Sequence, residues 1–249
     1  MKLNHNAVRN IVVDLGNTFS KMGLYSDGNL LEAYHGLSDS DLLEKWQDTD
    51  HDRAIIASVR KEYSFLLEAI EDKEKVLFLD HNTPLPLKNL YNSPQTLGVD
   101  RLAGVVGAQG IFPGRNCLVI DIGTAITYDI INDRGEYLGG GISPGPEIKL
   151  KALHNFTDNL PLVERTNPIE LIGTTTRESI LSGVFEGTLA EIEGFIAKYS
   201  EIFDKMQVIM CGGGLKLFES KIKEHIFVAP ELIIDGLNRI LEYNVSEES

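Results

Sequence analysis

The sequence predicts an α/β chain built from two similar halves. Strand-like apolar runs come in a group of three and then mix with helical patterns, and this happens twice along the 249 residues. Residues 11–31 also align without a gap on residues 118–138. A chain of this length forms one large domain or two domains of ordinary size. Together these observations favour duplication.

Identities between the two halves include residues at which the chain must turn. Among the identities are Asp14 on Asp121, Gly16 on Gly123, Gly28 on Gly135 and Leu31 on Leu138. Each half reads as a strand, an Asp-x-Gly turn, a second strand, a glycine turn and a third strand. We therefore predict domains at 9–115 and 116–249, with the last helix a candidate for packing back on the first domain.

The predicted elements follow from apolar periodicity. Short runs bounded by turn residues and apolar on both faces predict strands at 9–16, 19–26, 29–36, 52–58, 75–80, 116–123, 125–132, 135–142, 206–211 and 225–229. Three- and four-residue spacing predicts helices at 39–47, 61–71, 98–110, 146–154, 174–203 and 230–243. The 174–203 helix is apolar enough to lie across a dimer interface or to pack wholly within its domain.

Composition limits the function classes. The net charge of −14 argues against a nucleic-acid surface, which needs a basic stripe. No apolar run reaches the 18 residues of a membrane helix, and no secretory leader is visible at the start. Cys117 and Cys211 adjoin apolar runs, which predicts buried thiols in a reducing compartment. We expect a cytoplasmic protein with no nucleic-acid or membrane partner.

The doubled Asp-x-Gly hairpin suits phosphate binding. Glycine lets a ligand approach the main chain, and the amides of such a turn form a concavity for anions. Asn17, Thr18 and Thr124 add side-chain donors. Asp14 and Asp121 would repel phosphate, so a cation such as Mg²⁺ or an alkali ion must lie between them and the ligand. A single such Asp would read as a strand-end turn residue, but the in-register pair favours a nucleotide clamp.

A third glycine segment follows a buried strand at 208–211. Gly212, Gly213 and Gly214 leave a backbone without side chains, which could pass under an adenosine group. Alone, this pattern is more typical of a tight strand-to-helix turn. No Walker sequence and no G-x-G-x-x-G follow the first strand, so phosphate binding would be of the two-hairpin kind.

Five segments together resemble the type III pantothenate kinase family of the actin-like ATPase superfamily. In family order they are DLGNTFSKMGLY, LGVDRLAGVVGA, VIDIGTAITYDI, GEYLGGGISPG and IGTTTRESILSG, and they span residues 14–183. The resemblance implies two duplicated ribonuclease H-like domains with ATP and substrate in the cleft between them. It implies transfer of the ATP γ-phosphoryl to pantothenate, the first step of coenzyme A biosynthesis. It also implies Mg²⁺, a monovalent cation (K⁺ or NH₄⁺) and a homodimer.

The resemblance assigns the nucleotide and metal contacts. It implies that ATP meets Asp14, Leu15, Gly16, Asn17, Thr18, Phe19, Ser20 and Lys21 in the first hairpin, Thr124 in the second, and Gly212 and Gly213. Asp14 would hold Mg²⁺ through water, and Asp121 would hold the monovalent cation. Lys21 could equally be a solvated amine. Ile126 departs from the family, where Thr is common.

The resemblance also assigns the pantothenate contacts, which are Tyr91, Gly98, Val99, Asp100, Arg101 and Thr176. Asp100 would accept the hydroxyl proton, although a carboxylate in the first turn of a helix can also serve only the helix dipole. Arg101 would pair with the pantothenate carboxylate or with a structural Asp. Tyr91 would contact the substrate or lie in the core.

Thr175 and Thr176 are alternative candidates for one substrate contact. Thr175 stands where the family commonly has Asn, so either hydroxyl is a candidate for the substrate contact, and Thr at a helix start is usually an N-cap.

Two other readings compete with a pantothenate kinase. One is a non-catalytic regulator that keeps the fold, but such a protein should have lost Asp100, Asp121 or Thr124, and all three are present. The other is a kinase of another small alcohol, or a phosphatase, on the same scaffold. The GVDR and SPG segments argue against it through the resemblance alone.

Overall fold

A computed structural model describes residues 7–60 and 62–247, which form two compact units. The first unit comprises the described residues up to Gly114, the segment Asp133–Leu138 and the described residues from Glu231 onwards. The second comprises Arg115–Asn132 and Gly139–Pro230. The predicted start of a helix at residue 61 lies outside the described residues. The domain limits 9–115 and 116–249 stay a prediction.

The predicted strands and helices are all present, with small shifts in their bounds. The strands are β1 (Arg9–Leu15), β2 (Ser20–Ser26), β3 (Asn29–Leu37), β4 (Arg53–Ser58), β5 (Val76–Phe78), β6 (Lys88–Asn89), β7 (Cys117–Ile122), β8 (Ala125–Ile131), β9 (Glu136–Pro144), β10 (Gln207–Cys211) and β11 (Ile226–Val228). The helices are α1 (Asp39–Asp48), α2 (Ser64–Ala69), α3 (Val99–Ile111), α4 (Pro146–Asn155), α5 (Thr176–Ile202) and α6 (Leu232–Glu247). Short 3₁₀ turns lie at Lys73–Lys75, Pro94–Thr96 and Leu215–Leu217.

The two sheets repeat one strand order. The first unit has the order β3-β2-β1-β4-β5, and the second has β9-β8-β7-β10-β11. In each, the leading hairpin is antiparallel and the two later strands join in parallel. The short β6 pairs with the first residues of β9 inside the first unit. This repeated order confirms the duplicated α/β class.

The hairpin loops differ by one residue. The pairing of β1 with β2 leaves residues 16–19 unpaired, whereas the pairing of β7 with β8 leaves residues 123–125. In the turn after the second strand, Gly28 and Gly135 both take a positive φ at the aligned position. The halves align without a gap although their first loops are not identical.

Both faces of the first sheet are covered. Ile11, Val13 and Leu15 alternate along β1 and pack with Leu42 and Trp46 of α1. Helix α6 lies against β1, β2 and β4, and α3 packs on α6.

Glycines set the approach of α3 to α6. A Cβ built on Gly236 would overlap the carbonyl oxygen of Ala103, and one built on Gly107 would overlap that of Leu232. The two helix backbones can therefore come this close only without side chains at these positions.

Helix α5 packs in the core of the second unit. Its Ile180, Val184 and Ile192 pack with Leu118 and Ile120 of β7, so the apolar face of this helix is largely buried within its own unit. Within the residues that the structure describes, no helix is long and apolar enough to cross a bilayer.

Candidate nucleotide and substrate sites

The first hairpin carries the predicted phosphate loop. Asp14 lies one residue before the end of β1, opposite Lys21 of β2 and beside Ala57 of β4. The loop residues Asn17 and Thr18 are exposed, and Phe19 is 59% exposed. These side chains are open to a ligand.

Two residues of this hairpin turn inward. The Leu15 and Ser20 side chains are fully buried, so a ligand could meet only their main chain. Arg60, which follows β4, holds the loop at both ends: Nε donates to the carbonyl oxygen of Gly16, and Nη2 donates to the Ser20 hydroxyl at 3.2 Å. A third contact joins Nη1 to the Asp39 carboxylate at 2.6 Å.

The start of α3 holds the candidate base. Gly98 is the N-cap and makes no side-chain cap, while Asp100 lies in the first turn. The Asp100 Oδ1 atom accepts the amide of Arg101 at 2.8 Å, and a Cβ on Gly98 would overlap that oxygen. Glycine at 98 therefore leaves room for the carboxylate beside the helix N-terminus, where backbone amides favour an anion.

Tyr91 and Arg101 come together in the first unit. The Arg101 guanidinium lies 5.7 Å from the Tyr91 ring centroid, and the Tyr91 ring stacks on Tyr137 at 6.1 Å. Arg101 is only 7% exposed. The predicted substrate segment is thus a packed aromatic and cationic group rather than a set of solvated side chains.

The second hairpin meets the glycine segment. Asp121 lies opposite Thr127 of β8 and beside Cys211 of β10, which runs directly into Gly212. A Cβ on Gly212 would overlap Asp121 Oδ1, and Gly212 takes φ +93°. The glycine keeps open the space into which this carboxylate points.

The remaining glycines of the segment have separate roles. The amide of Gly214 donates to the carbonyl oxygen of Ile122 at 2.7 Å, which fixes the segment to the end of β7. An added Cβ at Gly213 would meet no atom within 4 Å, so this position faces open space.

Helix α4 starts at the second hairpin. Gly145, its N-cap, donates its amide to the Thr124 carbonyl oxygen at 3.0 Å, and Pro146 opens the helix. A Cβ on Gly145 would overlap the carbonyl oxygen of Gly123. The positive end of the α4 dipole therefore lies at the loop that contains Thr124.

A polar cluster anchors α4 to α5. Lys149 Nζ contacts Glu191 Oε2 at 2.7 Å and the buried Thr188 hydroxyl at 2.9 Å, and the Tyr128 hydroxyl donates to Glu191 at 2.9 Å. Burial alone would raise the pKa of Glu191, but hydrogen bonds from Lys149, Ser143 and Tyr128 lower it below its ordinary value. Burial and the neighbouring Glu191 raise the pKa of Tyr128. The cluster thus holds an ionised glutamate.

The two threonines at the start of α5 differ in their contacts. Thr175 is the N-cap and accepts the amide of Glu178 at 3.2 Å, while the Glu178 carboxylate accepts the Thr175 amide at 3.1 Å. Thr176 is the first helical residue and is exposed. The Thr175 oxygen is therefore already engaged in a capping box.

The part of the chain that the structure describes contains no preformed metal cage. Among the described residues, no group of three or more His, Cys, Asp or Glu side chains could hold a metal ion. A hard cation would take one carboxylate from Asp14 or Asp121 and its other ligands from phosphate oxygens, main-chain carbonyls and water. Both aspartates fit this chemistry, since each ends a strand beside a glycine loop.

The structure brings some of the predicted site residues together within each unit. Within one unit, Tyr91 lies with Arg101, and within the other, Asp121 lies with Gly212. Sequence reasoning missed Arg60, because a single arginine after a strand carries no signal until the pairing of β4 with β1 is known.

Two repeated sheets, each opening at an Asp-x-Gly hairpin, define a protein of the actin-like ATPase fold class. A solved structure of a conserved candidate Baf family transcriptional activator from Campylobacter jejuni shares the fold, with a TM-score of 0.63, 21% identity, and 95% of this chain and 99% of that chain covered. The activator of 2-hydroxyisocaproyl-CoA dehydratase from Clostridium difficile, solved with bound ADPNP, has a TM-score of 0.56, 15% identity and 97% of each chain covered.

Comparison of sequences identifies the family, whereas the similar structures show only the fold. A family model for type III pantothenate kinases matches residues 10–198. A type III pantothenate kinase of Cytophaga hutchinsonii is 44% identical over 238 residues, which are 95% of this chain and 100% of that protein. The chain belongs to the type III pantothenate kinase family, which confirms the resemblance drawn from its motifs.

Proposed function

We propose that this protein transfers the γ-phosphoryl group of ATP to the primary hydroxyl of pantothenate, giving 4′-phosphopantothenate. The 44% identity over 95% of the chain to a type III pantothenate kinase carries the proposal. The protein is a phosphotransferase, with ATP as co-substrate and a divalent metal, and the reaction is the first step of coenzyme A biosynthesis.

The nucleotide contacts are proposed from the two hairpins. Main-chain amides of residues 16–20, with Asn17 and Thr18, would bind phosphate oxygens, and Thr124 would do so in the second unit. The exposure of Asn17 and the α4 N-terminus beside Thr124 support this role. The open side of Gly213 suits the adenosine group.

Asp100 is proposed as the general base. Its carboxylate would accept the hydroxyl proton as the γ-phosphoryl group leaves ATP, while Tyr91, Gly98, Val99 and Arg101 would hold pantothenate. The space that Gly98 leaves for this carboxylate supports the assignment. Arg101 is nearly buried with its guanidinium near the Tyr91 ring, which restricts its motion and supports a role in binding the pantothenate carboxylate.

The proposed substrate contact on α5 is Thr176. Thr175 is occupied by the capping box, which favours the neighbouring hydroxyl.

Two cations are proposed. Asp14 would hold Mg²⁺ through water, and Mg²⁺ would neutralise charge on the transferring phosphoryl group. Asp121 would hold K⁺ or NH₄⁺ in the space that Gly212 keeps open.

A cytoplasmic homodimer is proposed for the assembled enzyme. Phe156, Leu171 and Ile172 of the second unit are large apolar side chains that are 87%, 73% and 80% exposed, and burial of such side chains in an interface would support the dimer. Sedimentation velocity on the purified protein tests the dimer, and a monomer at micromolar concentration would contradict it.

Turnover of ATP by the purified protein tests the function. We expect ADP release that requires pantothenate, yields a phosphorylated product by mass spectrometry, and is far faster in K⁺ than in Na⁺ buffer. ATP turnover that ignores pantothenate would overturn the substrate assignment. Equal rates in K⁺ and Na⁺ would overturn the monovalent cation site alone.

A further inference from the structure

Arg60 organises the first phosphate loop through its hydrogen bonds. Its side chain is only 16% exposed, and its three nitrogen atoms reach the two ends of the loop and α1. Two of these contacts bracket the loop, at Gly16 on one side and at Ser20 on the other. A planar guanidinium presents its donors in a fixed fork, so it sets the geometry between these two points.

The contact with Gly16 determines which way the next amide points. A peptide unit is planar and trans, so its carbonyl oxygen and the following N–H point in opposite directions. The Gly16 oxygen turns towards Arg60, and the Asn17 N–H therefore points away from it. Asn17 is exposed, and among the described residues its amide has no protein hydrogen-bond partner.

The two units differ in the residues that follow β4 and β10, the strands that pair in parallel with β1 and β7. In the first unit the Val59 amide donates to Leu15 at 3.2 Å, and in the second the Gly214 amide donates to Ile122 at 2.7 Å. Both bonds end on the carbonyl oxygen of the last residue of the central strand, Leu15 of β1 and Ile122 of β7. Around this bond the second unit has glycines, whereas the first unit continues into Arg60.

We propose that Arg60 is a positioning residue for ATP. It fixes the Gly16–Asn17 peptide so that the Asn17 N–H faces a phosphate oxygen, and it places a cation beside the loop of an acidic protein. The ion pair with Asp39 holds the guanidinium in this orientation and offsets part of its charge. The inference rests on the proposed function, because it requires residues 14–21 to bind the nucleotide phosphates.

Nucleotide affinity and steady-state kinetics test the proposal. In Arg60→Ala, calorimetry should show ADPNP binding weakened about 10-fold or more, the usual effect of losing hydrogen bonds to a charged group. The KM for ATP should rise to a similar extent, while the KM for pantothenate at saturating ATP stays within about twofold. Arg60→Lys should lose less, and methylguanidinium should partly restore ADPNP binding to Arg60→Ala.

A matched control separates position from charge. Arg134→Ala removes the same charge from an exposed side chain that pairs with Glu136, and its ADPNP affinity should stay within about twofold of the wild type. An equal loss in both variants would overturn the positioning role. A folded Arg60→Ala protein with wild-type ADPNP affinity would overturn it as well.

Three further outcomes distinguish failure of the Arg60 proposal from failure of the proposed function. If Arg60→Ala does not fold, Arg60→Lys decides, and its unchanged ADPNP affinity would overturn the role of the guanidinium fork. If the wild type binds ADPNP without phosphorylating pantothenate, the proposed function fails while the binding comparison still decides on Arg60. A wild-type protein that does not bind ADPNP overturns both.

Discussion

Replacement of Gly212 by Ala should damage both stability and the cation site. At φ +93° an alanine is strained, which costs roughly 1–2 kcal/mol. Its Cβ would also lie 2.5 Å from the Ile122 carbonyl oxygen, which the Gly214 amide holds in place. Such overpacking costs typically about 1–3 kcal/mol. We therefore expect the free energy of unfolding to fall by about 2–5 kcal/mol.

The Asp121 carboxylate is the neighbour that can move. Because the new Cβ would overlap Asp121 Oδ1, the side chain must rotate away from its present position. If Asp121 holds the monovalent cation, the K⁺ concentration for half-maximal activity should rise. The measurements are urea unfolding followed by circular dichroism and a K⁺ titration of the turnover rate.

Gly213→Ala is the matched stability control. No atom lies within 4 Å of its added Cβ, and Gly213 does not take a positive φ. Its free energy of unfolding should change by less than about 1 kcal/mol, with a gain as plausible as a loss. If Gly212→Ala proved as stable as Gly213→Ala and kept the wild-type K⁺ requirement, the reasoning would be refuted.

Three other changes test separate parts of the molecule. Asp100→Asn should keep ADPNP affinity by calorimetry but lose roughly 10²-fold or more in turnover, and near-full activity would make Asp100 structural. Glu191 has a lowered pKa, so its ionised form stabilises the fold above the ordinary glutamate pKa, and this contribution disappears as pH falls through the lowered value. Thermal unfolding of Glu191→Gln should consequently depend less on acidic pH than that of the wild type, and parallel curves would contradict this. Gly236→Ala, whose Cβ overlaps Ala103, should lower the free energy of unfolding by about 1–3 kcal/mol in urea, and wild-type stability would contradict the close helix contact.

Local patterns predict the elements because their causes are local. Apolar runs and glycine turns place β1 and β7, and the helix predicted at 98–110 is observed at Val99–Ile111. The weakest case is 61–71, where the structure has a helix only at Ser64–Ala69. Its N-cap, Tyr63, makes no side-chain cap bond, so local signals there define the helix poorly.

Features that depend on contacts between distant elements could not be predicted from the sequence. Arg60 reaches Gly16 across 44 residues, and Lys149 reaches Glu191 across 42. Both contacts exist because separate elements meet in the folded unit. Arg60 lies outside every predicted element, and the spacing that predicts the 146–154 helix does not indicate a partner for Lys149. The family resemblance predicts which positions contact a ligand. It does not predict the packing that orients these positions, because that packing depends on contacts between distant parts of the chain.

The position of α6 in the sequence affects the order in which the two units can fold during synthesis. Helix α6 completes the first unit, and Asn238 accepts a hydrogen bond from Asn10 across 228 residues. A ribosome makes β1 to β5 of this unit before the second unit, and makes α6, which covers their sheet, only after all strands of the second unit. The first unit therefore cannot finish folding until α6 has been made, whereas every residue of the second unit has been made by then. Losing the final helix should unfold the half of the protein that is made first.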